Sequence, residues 1–182
     1  DLLEFPKVRE RLAALTSFSA GKQRAAELEP LPTHTAVVRA HRETAELIHL
    51  LEGNLNVGLG GAHDVRHHAE AARLSGLLTA AQLLDIRDTL ECARGLRRSV
   101  ERAVSVAPLL WDRVDTLPET DRVAREISRC IGQRAEVLDL ASPNLTRLRA
   151  LVKHTHERLL DRLNQIMNST RGRAVLQEPL IT

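Results

Sequence analysis

Val137-Leu138-Asp139-Leu140-Ala141-Ser142-Pro143-Asn144-Leu145 opens a run that continues without proline or glycine to Arg171. Ser142 suits the N-cap position, because its hydroxyl can accept from a backbone N–H that lacks a helical partner. Pro143 then falls at the first helical position, where a missing N–H costs nothing. Apolar residues recur at Leu145, Leu148, Val152, Leu159, Leu163 and Ile166. Their steps of three and four, interrupted by Thr155, mark a heptad-like seam. Gly172 is the natural stop. The spacing predicts one helix over 143–171, which spans about 43 Å at the usual rise per residue. That exceeds an ordinary globular helix, so the helix is expected to project from a helical base as an arm.

The residues before this rod read as shorter helices. Pro6 opens the first, with Val8, Leu12 and Leu15 as its expected buried stripe. Ser19 is expected to cap a second helix running to Leu28, ended by Pro30 and Pro32. A third begins near Thr33 and stops at Gly53-Asn54. A glycine-rich loop follows, with Gly53, Gly58, Gly60 and Gly61. Asp64 is expected to cap a short helix ending at Ser75-Gly76. Thr79 and Gln82 read as a capping box, and the helix they open should run nearly to Pro108. Pro118 is expected to open another helix, with Val123, Ile127 and Ile131 inward. The segments 135–138 and 176–182 are candidates for short strands. The predicted fold class is all-α: an irregular helical bundle with one long, protruding, lever-like helix. The predicted division is a helical core over 1–142 and a rod-bearing segment over 143–182.

Composition narrows the function classes. The chain has 182 residues, 43% hydrophobic and 27% charged, with a net charge of +2. This is a soluble globular composition with no general basic character. Aromatic residues make up 2%, so a surface that reads bases by stacking is nearly excluded. Cys92 and Cys130, far apart and each in a helical pattern, read as buried thiols in a reducing, cytoplasmic setting, with a disulfide as the alternative. There is no signal peptide and no apolar run long enough to cross a bilayer, so no membrane partner is expected. The chain starts at Asp1 and stops within an apolar stretch, and it is expected to be a piece of something longer.

Few residues invite chemistry. His63 and His67 are four apart and could, with His68, hold a metal. A solvated helix start with a capping Asp64 is the preferred reading, and no metal site is expected. His154 and His156 point to different faces of the long helix, and His41 and His49 carry no signal. Ser19-Ala20-Gly21-Lys22 lacks both the upstream glycine and the following Ser or Thr of a phosphate loop. Arg94, Arg97, Arg98 and Arg102 cluster on one helix, where pairing with acids is the plainer reading and phosphate contact the other. The better nucleic-acid candidates are Arg147, Arg149, Lys153, Arg158 and Arg162 on the long helix, where acids are few. No catalytic residues are expected.

Several pieces resemble one family in their order and spacing. They include Leu3-Glu4-Phe5 before Lys7-Val8, and Ser19-Ala20-Gly21-Lys22 leading to Leu28-Glu29-Pro30. Gly61-Ala62-His63-Asp64-Val65-Arg66 is similar to the family's Gly-x-x-Asp-Ile-Arg stretch. Gly76-Leu77-Leu78-Thr79, Glu136 to Leu145, and Leu176-Gln177-Glu178-Pro179-Leu180-Ile181-Thr182 complete the set. Leu140 departs from it, standing where a small polar residue is expected. The resemblance is to the MutS paralogues of the second type, which lack a mismatch-recognition domain. It implies a core-and-lever segment, with the helix from Pro143 as the outbound lever and Leu176 to Thr182 as the first strand of the clamp. It implies, outside this segment, an ATPase domain using ATP and Mg and an Smr endonuclease domain, in a homodimer. It implies binding to branched DNA, which suppresses recombination, or to collided ribosomes. No cofactor is expected within this segment. Two other readings stay open: a free-standing α-helical adaptor pairing through its long helix, and a small metal enzyme using His63, His67 and His68.

Overall fold

The computed structural model describes residues 4–55 and 57–169. Among them the chain forms eight α-helices and no sheet, so it is all-α. These are α1 (Phe5–Ala14), α2 (Ser19–Ala26), α3 (His34–Glu52) and α4 (Arg66–Arg73), then α5 (Ala80–Glu101), α6 (Pro108–Val114), α7 (Asp121–Cys130) and α8 (Pro143–Asn168). Contacts divide the chain into two compact units between Glu136 and Val137.

The first unit is built on α5. Thr79 and Gln82 form both halves of the capping box, the Thr79 hydroxyl accepting from Gln82 N–H and the Gln82 amide oxygen from Thr79 N–H. The helix stops at Glu101, short of the expected reach to Pro108. Residue 107 precedes a proline and is driven from the helical region, with φ −136° and ψ 56°, and the chain turns over 102–106. The turn drops Ala103 and Ala107 into a core with Leu50, Val57 and Val100, against which Leu96, Leu110 and Trp111 pack. Helix α3 holds α6 by charge. The Glu46 carboxylate accepts from Leu109 and Leu110 N–H at 3.3 and 3.0 Å, filling donors a helix start leaves open. Arg113 donates twice to Glu43, at 2.9 and 2.7 Å, and with Arg39 holds that carboxyl below its usual range.

Several boundaries and faces differ from expectation. Val8, Leu12 and Leu15 are exposed: α1 packs on α2, and the residues buried in the two helices are the small Ala13 and Ala25. Ser19 does not cap α2 with its side chain, and α2 ends at Ala26. Pro118 precedes α7, whose N-cap is Thr120. Ala124, Ile127 and Ile131 are buried, and Val123 faces solvent. Residues 135–138 form no strand. Gly132 N–H donates to the Glu136 carbonyl at 2.8 Å, and Ala135 adopts φ 61°, which makes a tight turn.

In the second unit, a 3-10 turn over Asp139–Ala141 leads into α8. Ser142 is the N-cap residue in extended conformation, but its hydroxyl caps nothing. Its carbonyl accepts from Thr146 N–H, while the Thr146 hydroxyl ties the turn by donating to the Asp139 carbonyl at 2.7 Å. Helix α8 runs unbroken for 26 residues, about 39 Å, and none of them is buried. It ends at Asn168, not at Arg171. Ser169 is extended, and its hydroxyl takes the Ile166 carbonyl at 2.7 Å, competing for a helical acceptor. Gly172 and the strand expected over 176–182 lie outside the described residues.

Candidate nucleic-acid interface

Helix α8 carries all five basic residues singled out from the sequence. At about 100° per residue, its apolar positions Leu145, Leu148, Val152, Leu159, Leu163 and Ile166 fall on one stripe. Arg147, Arg158 and Arg162 lie along one side of that stripe, and Arg149 and Lys153 along the other. The acids Glu157 and Asp161 fall on the opposite face. The five cations therefore make two rows with an apolar strip between them, not a single basic face.

The cations are not equivalent. Arg149 donates to the Asp139 carboxylate and so binds α8 to the turn that precedes it. Arg147 donates to the Asn144 amide oxygen at 3.1 Å within the first turn. Lys153, Arg158 and Arg162 form no ion pair among the described residues, and all are exposed. These three are free to meet phosphate oxygens, which act as point anions and need no base-specific geometry. The apolar strip is also open: Val152 is 68% exposed, Leu159 57% and Ile166 56%.

The arginines of α5 separate in a similar way. Arg94 lies 3.6 Å from Asp121. Arg97 donates to Asp115 at 2.9 Å and to the Leu117 carbonyl at 3.1 Å, and its guanidinium covers the Trp111 ring at 5.7 Å. Both are structural ties between α5 and the residues after α6. Arg98 and Arg102 form no ion pair with an acid among the described residues.

The histidines do not converge on a metal. His63 Nδ1 and His68 Nε2 approach opposite oxygens of Asp85, at 3.7 and 3.5 Å, and His67 is exposed. Among the described residues, no three His, Cys, Asp or Glu side chains are placed to hold an ion. Cys92 and Cys130 are free thiols, each half-buried. No helix among the described residues is long and apolar enough to cross a membrane.

One cluster was not legible as such. Asp64 accepts from Arg66 at 2.8 and 2.6 Å and from the Ser19 hydroxyl at 3.2 Å, and Arg66 also donates to the Gln23 amide oxygen at 2.9 Å. The Asp-Val-Arg piece of the glycine loop is thus a clasp onto α2. The signal lay in the Asp64/Arg66 spacing; its partners Ser19 and Gln23 are more than forty residues away, at separations of 45 and 43.

No protein-family model matches the chain. Curated proteins do match it, along nearly its whole length. It is 37% identical over 169 residues to the endonuclease MutS2 of Thermomicrobium roseum, covering 91% of this chain and 21% of that protein. It is 32% identical to the endonuclease MutS2 of Symbiobacterium thermophilum, over 99% of this chain and 22% of that one. The protein of that name from a Geobacillus species is 32% identical over all of this chain and 24% of its own length. The chain thus spans between a fifth and a quarter of the length of these relatives.

Proposed function

We infer that this chain is a segment of a MutS2-type protein, a paralogue of the mismatch-repair ATPase, and that it serves there as scaffold and lever. The observation that carries the reading is α8: an unbroken 26-residue helix with no buried residue. A helix keeps its hydrogen bonds internal and bends gently, so it carries displacement over tens of ångströms with little loss. ATP hydrolysis with Mg, and cleavage by an Smr endonuclease domain, belong to the rest of the full-length protein. That protein is proposed to act in the cytoplasm as a homodimer. Its target is proposed to be branched DNA or a collided ribosome, and this segment couples the ATPase to the grip on that target.

The coupling is tested by Val152→Pro in the full-length protein. A mid-helix proline removes a hydrogen bond and clashes with the preceding turn, at a cost of about 3 kcal/mol or more. Basal ATP hydrolysis should persist, while the dependence of branched-DNA or ribosome affinity on bound nucleotide should vanish. Coupling that survives the proline would refute the lever. So would a reading frame beyond Thr182 that encodes no phosphate loop.

Lys153, Arg158 and Arg162 supply a weak, salt-dependent contact to nucleic acid. Each neutralised phosphate steepens the fall of log K with log salt by about 0.9 on duplex DNA. Replacing all three with Gln should therefore flatten that slope by nearly three. An unchanged slope would remove the contact.

The open apolar strip of α8 favours a second reading, a helical adaptor that pairs through this helix. Sedimentation of the chain with and without α8 separates the two. Association that does not depend on α8 counts against the adaptor.

A further inference from the structure

Glu91, Gly95 and Arg98 succeed one another on α5 at steps of four and three, and Arg102, the C-cap residue with helical backbone angles, follows four later, so the four share one side of the helix end. The glycine loop after Val57 lies against this side. The Cys92 thiol holds it there by donating to the Gly58 carbonyl at 3.8 Å. Between loop and helix is an open groove of about 610 Å³, with Gly58 and Gly60 on one wall and Gly95, Arg98 and Arg102 on the other.

Three features of this groove point to an anion. Neither arginine is paired with an acid among the described residues and both are exposed; Arg102 Nε donates to the Arg98 carbonyl at 3.2 Å, which leaves its two terminal nitrogens for a ligand. Glu91, the one carboxylate lining the groove, sits two helical turns from Arg98, so the Arg98 end is cationic. Burial raises the Cys92 pKa, so that thiol stays neutral and does not offset the arginines. Arg98 also borders the cavity between α5 and residues 117–121, where Glu101, Glu119 and Asp121 lie, yet it pairs with none of them.

The glycines add the second half of the case. A glycine within a helix is destabilising relative to alanine, so its presence in α5 calls for a reason. A Cβ on Gly95 would meet nothing within 4 Å, and neither would one on Gly60. Packing inside the chain therefore does not account for the missing side chain. What it does is leave the groove floor low and the Gly60 backbone accessible. The Gly60 N–H has no partner among the described residues.

We propose that this groove binds a phosphate group, with Arg98 and Arg102 as its cationic wall and the Gly60 N–H as a backbone donor. Guanidinium forks match the oxygens of a phosphate, and a backbone amide in a glycine loop approaches them without a side chain in the way. The site lies in the first unit and does not depend on the lever reading.

The test is an NMR titration of the 182-residue chain with inorganic triphosphate and, separately, with a twelve-nucleotide single-stranded oligonucleotide. Saturable shifts should be confined to the Gly58, Gly60 and Gly95 amides and the Arg98 and Arg102 side-chain N–H groups. R98E/R102E should weaken binding at least tenfold, and the charge-matched R24E/R42E should leave it within twofold. Gly95→Leu should leave the thermal midpoint unchanged or raised, yet weaken binding at least tenfold by filling the floor. Tighter binding of the oligonucleotide supports a phosphodiester backbone as the ligand, and binding of triphosphate alone supports a small phosphate compound. Shifts spread over all arginines, an equal loss in R24E/R42E, or full binding by Gly95→Leu would overturn the site.

Discussion

At the scale of single residues, the informative positions are those whose partners are distant in sequence. Asp64 shows this. Its carboxyl is held far below the ordinary carboxylate range, first by the Arg66 guanidinium, then by Arg66 N–H and the Ser19 hydroxyl. Because the folded pKa is depressed, the bound state favours the ionised form. Its stabilising contribution is complete above the unfolded value near 3.8 and is lost as pH falls through the folded one. Asp64→Asn should therefore lower the thermal midpoint at pH 7, and the gap from wild type should begin to narrow as pH falls below about 4. Thermal melts of both proteins from pH 7 to pH 3 check this; a gap that holds constant with pH would mean the carboxylate charge is irrelevant. The sequence exposed Asp64 as a helix cap only, but the N-cap of α4 is Val65 and no side chain caps it. Asp64 instead accepts from Arg66 N–H at 3.3 Å in the turn before the helix, and the clasp needs Ser19 on Asp64 and Gln23 on Arg66, which no local pattern connects to them.

At the scale of elements, legibility followed the range of the forces that set each boundary. The start of α5 was readable because a capping box is contained within four residues, and the box formed as written. Thr33 likewise caps α3, accepting from Ala36 N–H at 3.2 Å. The ends of α5 and α8 were not readable, because a turn into the core stops the one and Ser169 the other. Faces were harder still. The α1 stripe matched helical spacing, yet Leu15 is 84% exposed; among the described residues α1 packs chiefly on α2, and the buried residues of the two helices are Ala13 and Ala25. Periodicity says which residues share a face, not whether anything lies on that face. The capping box gives an element-scale prediction. Thr79→Ala removes the acceptor for Gln82 N–H and should cost about 1 kcal/mol, within the usual range for a lost cap. Urea unfolding followed by circular dichroism measures it; a change below about 0.3 kcal/mol would mean the start of α5 frays freely.

At the scale of the whole molecule, the fold class was legible and the location of the core was not. Few aromatics and many leucines predict helices, but among the described residues Leu50 is the one leucine that is fully buried, and the first unit's core relies on alanines and valines around it. Leu50 is 1% exposed, so Leu50→Ala should cost about 2–5 kcal/mol through lost transfer energy and a cavity. Against a total of about 5–15 kcal/mol for a domain, that is a large share. Trp111 is the chain's one tryptophan and packs against this core, so its fluorescence reports the first unit alone. Leu151→Pro, by contrast, breaks α8 in the second unit. If each compact unit carries its own stability, Leu50→Ala should move the fluorescence transition to lower urea. Leu151→Pro should reduce the helical dichroism and leave that transition in place. A fluorescence midpoint displaced equally by both substitutions would show that the two units unfold as one.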